Sequence, residues 1–217
     1  MSLNLEQMRE EYLQSELSEK SLLNDPVEQF KTWFEQARSA GLPEPNAMTL
    51  ATCTPDGRPS ARVVLLKSVD EAGFVFFTNY QSRKSVELEE NPHATLLFSW
   101  LELQRQVRIE GICERISEAE STAYFQSRPR GNQIGAWASP QSRVIADREQ
   151  LEQKMADLSR RFEGVDPLPK PPHWGGFRVI PYRIEFWQGR GSRLHDRLVY
   201  EPSITGKGQW TISRLAP

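Results

Sequence analysis

Cysteine is scarce in this chain of 217 residues. Cys53 and Cys113 lie far apart, with no CxxC or Cys/His spacing, so neither a metal-ligand set nor a thiol redox motif is indicated. A reducing, cytoplasmic setting is the simplest expectation. An excess of one charge is also missing: 27 Lys and Arg stand against 29 Asp and Glu, a net charge of −2. No global basic field draws the chain to nucleic acid or an anionic membrane, so any affinity for anions must be local. Long apolar runs are absent too. The best, such as Val63, Val64, Leu65 and Leu66, are strand-sized, far from the ~18 to 20 residues that span a bilayer. The N-terminus has no basic segment followed by an apolar one, and no internal repeat or low-complexity tract interrupts the chain.

What is present reads as one domain with an appendage: a polar, mobile segment over residues 1–20 and a single domain over 21–217. Asp25-Pro26 opens a helix as N-cap acceptor and first-turn proline, and Val27, Phe30, Trp33, Phe34 and Ala37 mark its apolar face until Gly41. Strands are then expected over residues 48–54, 60–69 and 74–79, separated by Pro55-Asp56-Gly57 and Asp70-Glu71-Ala72-Gly73 turns, as three consecutive antiparallel strands. A short helix over 82–90 precedes a second hairpin, 93–101 and 104–116. Ser117 and Glu120 form a capping box for a helix that Pro129 stops near Ser127. Another helix is expected over 147–162, and the last strands over 176–188, 193–200 and 210–215. Many antiparallel strands with peripheral helices indicate an α+β protein, mainly antiparallel β, built on a barrel.

Against this background, local clusters of positive charge stand out. After the aromatic run Phe186-Trp187, an extended backbone would place Arg193, His195 and Arg197 on one face, where they suit a phosphate, carboxylate or phenolate, or else guard an exposed strand edge. Arg62 and Lys67 flank an apolar strand with opposite parity, fit for two separate anions or for snorkelling at strand ends. Arg83 and Lys84 sit in the first turn of a helix, where they oppose its dipole unless an anion binds there; an ordinary solvated turn is the other reading. Tyr124 and Arg128, four apart beside the Pro129-Arg130-Gly131-Asn132 loop, suit a phosphate clasp or a stacked surface pair. Gln106, Gln141 and Ser142 offer hydrogen bonds of no particular specificity.

Taken together, Arg62 to Lys67, Phe76 to Lys84, Arg105-Gln106-Val107, Tyr124 to Trp137 and Trp174 through Arg197 resemble the pyridoxine (pyridoxamine) 5′-phosphate oxidase family, over nearly the whole chain. The resemblance implies an FMN-binding split β-barrel, a homodimer with FMN at the subunit interface, and oxidation of pyridoxine or pyridoxamine 5′-phosphate by O2 to pyridoxal 5′-phosphate, with release of H2O2. It also implies site residues. FMN contacts fall on Arg62, Val63, Val64, Leu65, Leu66, Lys67, Phe77, Thr78, Arg83, Lys84, Gln106, Gln141, Ser142, Trp187 and Arg197. Arg62, Arg83 and Lys84 would serve the FMN phosphate. Substrate phosphate contacts fall on Lys67, Tyr124, Arg128 and Asn132; Arg193 and His195 would lie by the pyridine ring as the candidate catalytic groups, with Arg9 and Tyr12 on an N-terminal lid.

Two positions depart from the family pattern: Asn132 stands where serine is common, and Phe77 where tyrosine is often found. An asparagine amide can still donate to phosphate. A non-catalytic split-barrel protein that holds flavin or pyridoxal phosphate is the alternative; it gives no reason to keep Tyr124, Arg128, Arg193 and His195 together. A nucleic-acid-binding barrel is disfavoured by the charge balance.

Overall fold

In a computed structural model the described residues are 12, 15–203 and 208–217. Arg9 and most of the expected lid segment lie outside them. Helix α1 (Pro26–Ser39) starts as its sequence dictates, with the Asp25 carboxylate accepting from the amides of Val27 at 2.7 Å and Glu28 at 3.0 Å. Strands β1 (Ala47–Cys53), β2 (Pro59–Leu65), β3 (Ser68–Asp70) and β4 (Gly73–Asn79) precede α2 (Arg83–Glu90). Then come β5 (His93–Trp100), β6 (Arg105–Arg115), α3 (Glu118–Ser127), α4 (Arg130–Ala138), α5 (Arg148–Arg161), β7 (Trp174–Gln188), β8 (Asp196–Pro202) and β9 (Trp210–Arg214). The Ser117 capping box forms as expected: the Glu120 amide donates to Ser117 Oγ, and the Ser117 amide to Glu120 Oε2, both at 3.1 Å.

The strands hydrogen-bond in the order β2-β1-β5-β6-β7-β4-β3, with β8 adding to β7 and β9 to β8. The two ends of that order, β2 and β3, are separated in sequence only by Leu66 and Lys67, which is barrel connectivity. This corrects the expected run of three antiparallel strands. Residues 60–69 are not one strand: β3 pairs with β4, while β2 hydrogen-bonds to β1 and not to β4. Side-chain parity does not force this break, since Val63 exposed and Leu66 buried, three residues apart, is what strand alternation allows. The chain breaks at Leu66, and the Lys67 amide crosses to the Val75 carbonyl at 2.9 Å.

Two further expectations change. Residues 129–132 are not a loop: Pro129 is the N-cap of α4, and its carbonyl accepts from the amides of Asn132 at 2.8 Å and Gln133 at 3.1 Å. Gly131 and Gly135 conceal this helix in the sequence, while Ile134 and Ala138, four apart, are its buried face. The last hairpin strand begins at Asp196, not 193. Residues 191–193 form a 3-10 turn in which Ser192 and Arg193 take left-handed φ values of 54° and 62°.

Contacts cluster into two compact units, one of Met1–Thr49, Thr95–Glu110 and Pro181–Pro217, the other of Leu50–Ala94 and Gly111–Ile180. In the first, α1 lays Phe30 on Phe98 at 4.9 Å between ring centroids and Trp33 edge-on to Phe186 at 5.1 Å. Each such buried ring contributes about 2–3 kcal/mol. The second holds Phe76 stacked on Phe177 at 5.8 Å, and a helical cluster of Phe125, Ile134, Ala138, Leu158, Phe162, Leu168 and Trp174. Gly73, at φ 136°, leads into β4, and a Cβ there would fall 2.2 Å from the Val179 carbonyl oxygen. Gly73→Ala is therefore expected to cost about 1–3 kcal/mol, read as a lowered denaturation midpoint.

Candidate active site

The second unit contains a cleft of about 640 Å³ lined by Leu65, Lys67, Phe77, Thr78, Tyr124, Arg128, Asn132 and Gln141 among others. Its floor is aromatic. Tyr124 stacks on Phe77 with centroids 3.9 Å apart, and Phe77 stacks on Trp174 at 5.3 Å, the three rings nearly parallel. Arg128 lies over Trp174, 4.8 Å from the ring centroid, and its Nη1 is buried with no hydrogen-bond partner among the described residues. A desolvated guanidinium nitrogen without an acceptor is costly unless a ligand oxygen supplies one. Burial also lowers the Arg128 pKa, the Tyr124 phenol partly opposing it. Asn132, in the first turn of α4, faces the same cleft, and the neighbouring Gly131 has open space around it. Lys67, exposed just after β2, lines the cleft as well.

Behind this cleft lies a cluster of cations. Lys84 is only 9 % exposed, and its ammonium donates to three neutral oxygens: Thr78 Oγ1 at 3.2 Å, Ser82 Oγ at 3.2 Å and Gln141 Oε1 at 3.1 Å. It has no carboxylate partner among the described residues. Burial, reinforced by the charge of Arg62 and only partly offset by Glu87, pushes its pKa down to about 8. The amides of Arg83 and Lys84, at the uncapped start of α2, also have no partner among the described residues. An uncompensated ammonium beside free helix amides is a site for an anion.

Arg62 and Arg83 are placed differently from Lys84, because both bond Glu87. Arg62 donates to Glu87 Oε2 at 3.2 Å, and also to Thr52 Oγ1, Ser60 Oγ and the Leu50 carbonyl. Arg83 donates through Nε to Glu87 Oε1 at 2.8 Å and keeps 63 % of its side chain exposed. Of the other β2 residues, Val63 is exposed, and Leu66 is buried just beyond the strand. Gln141 Oε1 also accepts from Thr78, while Ser142 is exposed at φ 68°.

The remaining sequence-predicted residues belong to the first unit. Gln106, Trp187 and Arg197 line a cavity of about 300 Å³ together with Leu97, Arg108, Glu185 and Pro217. Arg197 is held by Glu185 through two bonds, Nε to Oε1 at 2.7 Å and Nη2 to Oε2 at 3.2 Å, and its Nη1 donates to the Ala216 carbonyl at 2.9 Å. Arg108 bonds the same carboxylate. Glu185 is 4 % exposed, so it binds both guanidinium groups away from water. The expected shared face of Arg193, His195 and Arg197 does not form. Arg193 belongs to the 3-10 turn, His195 precedes β8, and only Arg197 is in the strand. His195 packs on Trp187 at 4.6 Å and on Tyr12 at 5.7 Å, while its Nδ1 accepts the Arg190 amide at 3.1 Å. Sequence reasoning missed Glu87, Glu185 and Trp174.

A family model described as pyridoxamine 5′-phosphate oxidase matches residues 34–161, and one described as the pyridoxine 5′-phosphate oxidase C-terminal dimerisation region matches 174–217. The chain belongs to the pyridoxine/pyridoxamine 5′-phosphate oxidase family. It is 57 % identical to the pyridoxine/pyridoxamine 5′-phosphate oxidase of Trichormus variabilis, over the whole of both chains. With that of Rubrobacter xylanophilus it shares 60 % identity over 97 % of this chain and 95 % of the other. Among solved structures, PhzG from Burkholderia lata, in complex with tetrahydrophenazine-1-carboxylic acid, superposes with a TM-score of 0.85 at 36 % identity, covering 91 % of this chain and 95 % of that one. A pyridoxamine 5′-phosphate oxidase-related, FMN binding protein from Nostoc punctiforme, 18 % identical with a TM-score of 0.71 over 90 % of this chain and all of that one, shares the fold. That fold is the split barrel of antiparallel strands with peripheral helices.

Within this oxidase the His195 imidazole has its pKa lowered, first by burial and then by the charge of Arg193. The lowered value keeps the ring neutral at pH 7, with Nδ1 occupied by the Arg190 amide and Nε2 carrying the proton. In an NMR pH titration, the His195 ring signals are expected to move at a lower pH than those of an exposed histidine, and Arg193→Ala is expected to raise that midpoint.

Proposed function

We infer that the protein uses FMN to oxidise pyridoxine 5′-phosphate and pyridoxamine 5′-phosphate to pyridoxal 5′-phosphate, with O2 as electron acceptor, releasing H2O2 and, from the amine, ammonia. Full-length identity to curated oxidases of this activity carries the reading. The site chemistry fits the cofactor and a second phosphate: the uncancelled charge of Lys84 beside the free amides of α2 suits one anion, and the unpartnered Arg128 Nη1 suits another. The protein is a homodimer through its C-terminal region, and a cytoplasmic location is proposed. Among the described residues no helix is long and apolar enough to cross a membrane.

When bound, FMN supplies the two-electron acceptor. The chain's own residues bind, orient and balance charge. Lys84, Arg83 and Arg62 hold the FMN phosphate, with Thr78, Gln141 and Ser142 as neutral hydrogen-bonding groups near it. Val63, Val64, Leu65, Leu66 and Phe77 complete that side of the cofactor site. Gln106, Trp187 and Arg197 hold the flavin ring from the interface region. Lys67, Tyr124, Arg128 and Asn132 clasp the substrate phosphate, fixing the pyridine ring for reaction. Arg193 steadies the substrate's 3-oxygen. His195, neutral and held through Nδ1, presents its Nε2–H as a hydrogen-bond donor that orients the substrate. Tyr12, packed on Trp187 and His195, borders the substrate from the N-terminal segment; Arg9, the other expected contact there, lies outside the described residues.

Three outcomes test this assignment. Purified, FMN-loaded protein is expected to consume O2 and form aldehyde absorbance with either substrate; a yellow protein that does neither is a flavin carrier instead. Arg128→Ala is expected to raise KM at least about tenfold with a smaller change in kcat, because a charge-assisted bond to the substrate phosphate is lost. FMN affinity has a pH dependence of definite sign. Lys84 is charged below its pKa of about 8 and neutral above it, so Kd for FMN is expected to rise between pH 7 and pH 9, and Lys84→Met is expected to flatten that profile.

A further inference from the structure

Glu87 is a carboxylate 3 % exposed, on α2 one turn beyond the cation-bearing first turn. Its two oxygens are divided. Oε1 takes Arg83 at 2.8 Å, while Oε2 takes Arg62 at 3.2 Å and the Thr52 hydroxyl at 2.5 Å. Thr52 in turn accepts from Arg62 Nη1 at 2.6 Å, closing a ring of bonds among Glu87, Thr52 and Arg62. One carboxylate thereby fixes a guanidinium from β2 and another from α2, elements that nothing else in this cluster ties at their charged ends. The charges match a particular ligand. Arg62, Arg83 and Lys84 against Glu87 leave the pocket two charges positive, the complement of a phosphate monoester dianion.

We propose that Glu87 is the positioning residue of the FMN phosphate site, fixing Arg62 and Arg83 in one rigid frame and setting the pocket's charge to match the dianion. This rests on the reading that these cations serve the FMN phosphate. Glu87 itself touches no ligand. It determines that the site prefers a phosphorylated flavin over the unphosphorylated one.

The chemistry of glutamine at this position gives the direction of the test. A carboxylate accepts at both oxygens, whereas an amide accepts at one end and donates at the other. In Glu87→Gln the amide NH2 must oppose either Arg83 or the Arg62–Thr52 pair, so one guanidinium loses its carboxylate bond whichever way the amide turns. Binding of FMN and of riboflavin to full-length apoprotein is compared by flavin fluorescence quenching. Glu87→Gln is expected to weaken FMN at least about tenfold while changing riboflavin less than about twofold, since only FMN carries the charge-assisted contacts. Glu87→Asp, which keeps the charge on a shorter arm, is expected to restore part of the loss. Thr52→Val, which leaves the carboxylate in place but opens the ring, is expected to weaken FMN by a smaller factor and carries the test if Glu87→Gln does not fold.

Lys84→Met and Arg83→Gln separate the possible failures. If both weaken FMN while Glu87→Gln leaves it unchanged or tightens it, the phosphate reading stands and the role of Glu87 is overturned. If neither weakens FMN, the phosphate lies elsewhere and both fall. Equal weakening of FMN and riboflavin in Glu87→Gln overturns the positioning role in favour of a general structural one.

Discussion

The constraint on which the site depends is a buried carboxylate shared by two guanidinium groups, and the chain uses it twice. Glu87 holds Arg62 and Arg83 in one unit; Glu185 holds Arg108 and Arg197 in the other. Such pairs add little net stability, because desolvating the buried carboxylate costs about as much as the attraction returns, yet removing its arginines would strand that charge. Their value is geometric. Arginine is a long side chain with about 2 kcal/mol of rotamer entropy, and a bidentate carboxylate removes that freedom before any ligand arrives. The Arg197 pair shows this directly, with two parallel bonds to Glu185 and a third from Nη1 to the chain's own C-terminal segment.

Lys84 follows the opposite rule. It is buried among hydroxyl and amide oxygens, so its charge is solvated but not cancelled, and the cost appears as a lowered pKa. Arg128 Nη1 marks the cleft differently, as a buried donor left without an acceptor. Fixed arginines define the frame, and the uncancelled charge of Lys84 and the unpartnered Arg128 Nη1 define where a ligand's charge must go. Beneath them the parallel rings of Tyr124, Phe77 and Trp174 rest on the helical cluster packed by α3, α4 and α5, so the cleft's shape is set by close packing and not by loops.

Much of this was legible in the sequence because local chemistry decided it. Asp25-Pro26 and Ser117 with Glu120 act within a few residues, and the helices they open formed where expected; the turns around Gly57 and Gly73 formed too, although the strand between them broke in two. The misses came where distant contacts or competing local preferences won. Residues 60–69 read as one apolar strand because periodicity cannot reveal that the two edges of a barrel meet at Leu66. Helix α4 was hidden by Gly131 and Gly135, whose low helix propensity is overridden by the packing of Ile134 and Ala138. Arg193 read as strand because left-handed φ values at Ser192 and Arg193 leave no mark in residue type. In the site, the cations were visible because charge beside an apolar strand is unusual, and their ligands became specific only through family resemblance. Glu87 was invisible for the converse reason: four residues after Arg83 it looks like a surface helix pair, and nothing local shows that Arg62, 25 positions away, shares it.

The buried, uncancelled ammonium of Lys84 also bears on how long the protein survives in a cell. A ligand that satisfies it binds the folded chain and not the unfolded one, so cofactor at a hundred times its Kd adds about 2.7 kcal/mol of stability. The unfolded fraction open to proteases then falls about a hundredfold. Bound flavin is thereby a stabiliser as well as a reactant, holding closed the openings that proteases need.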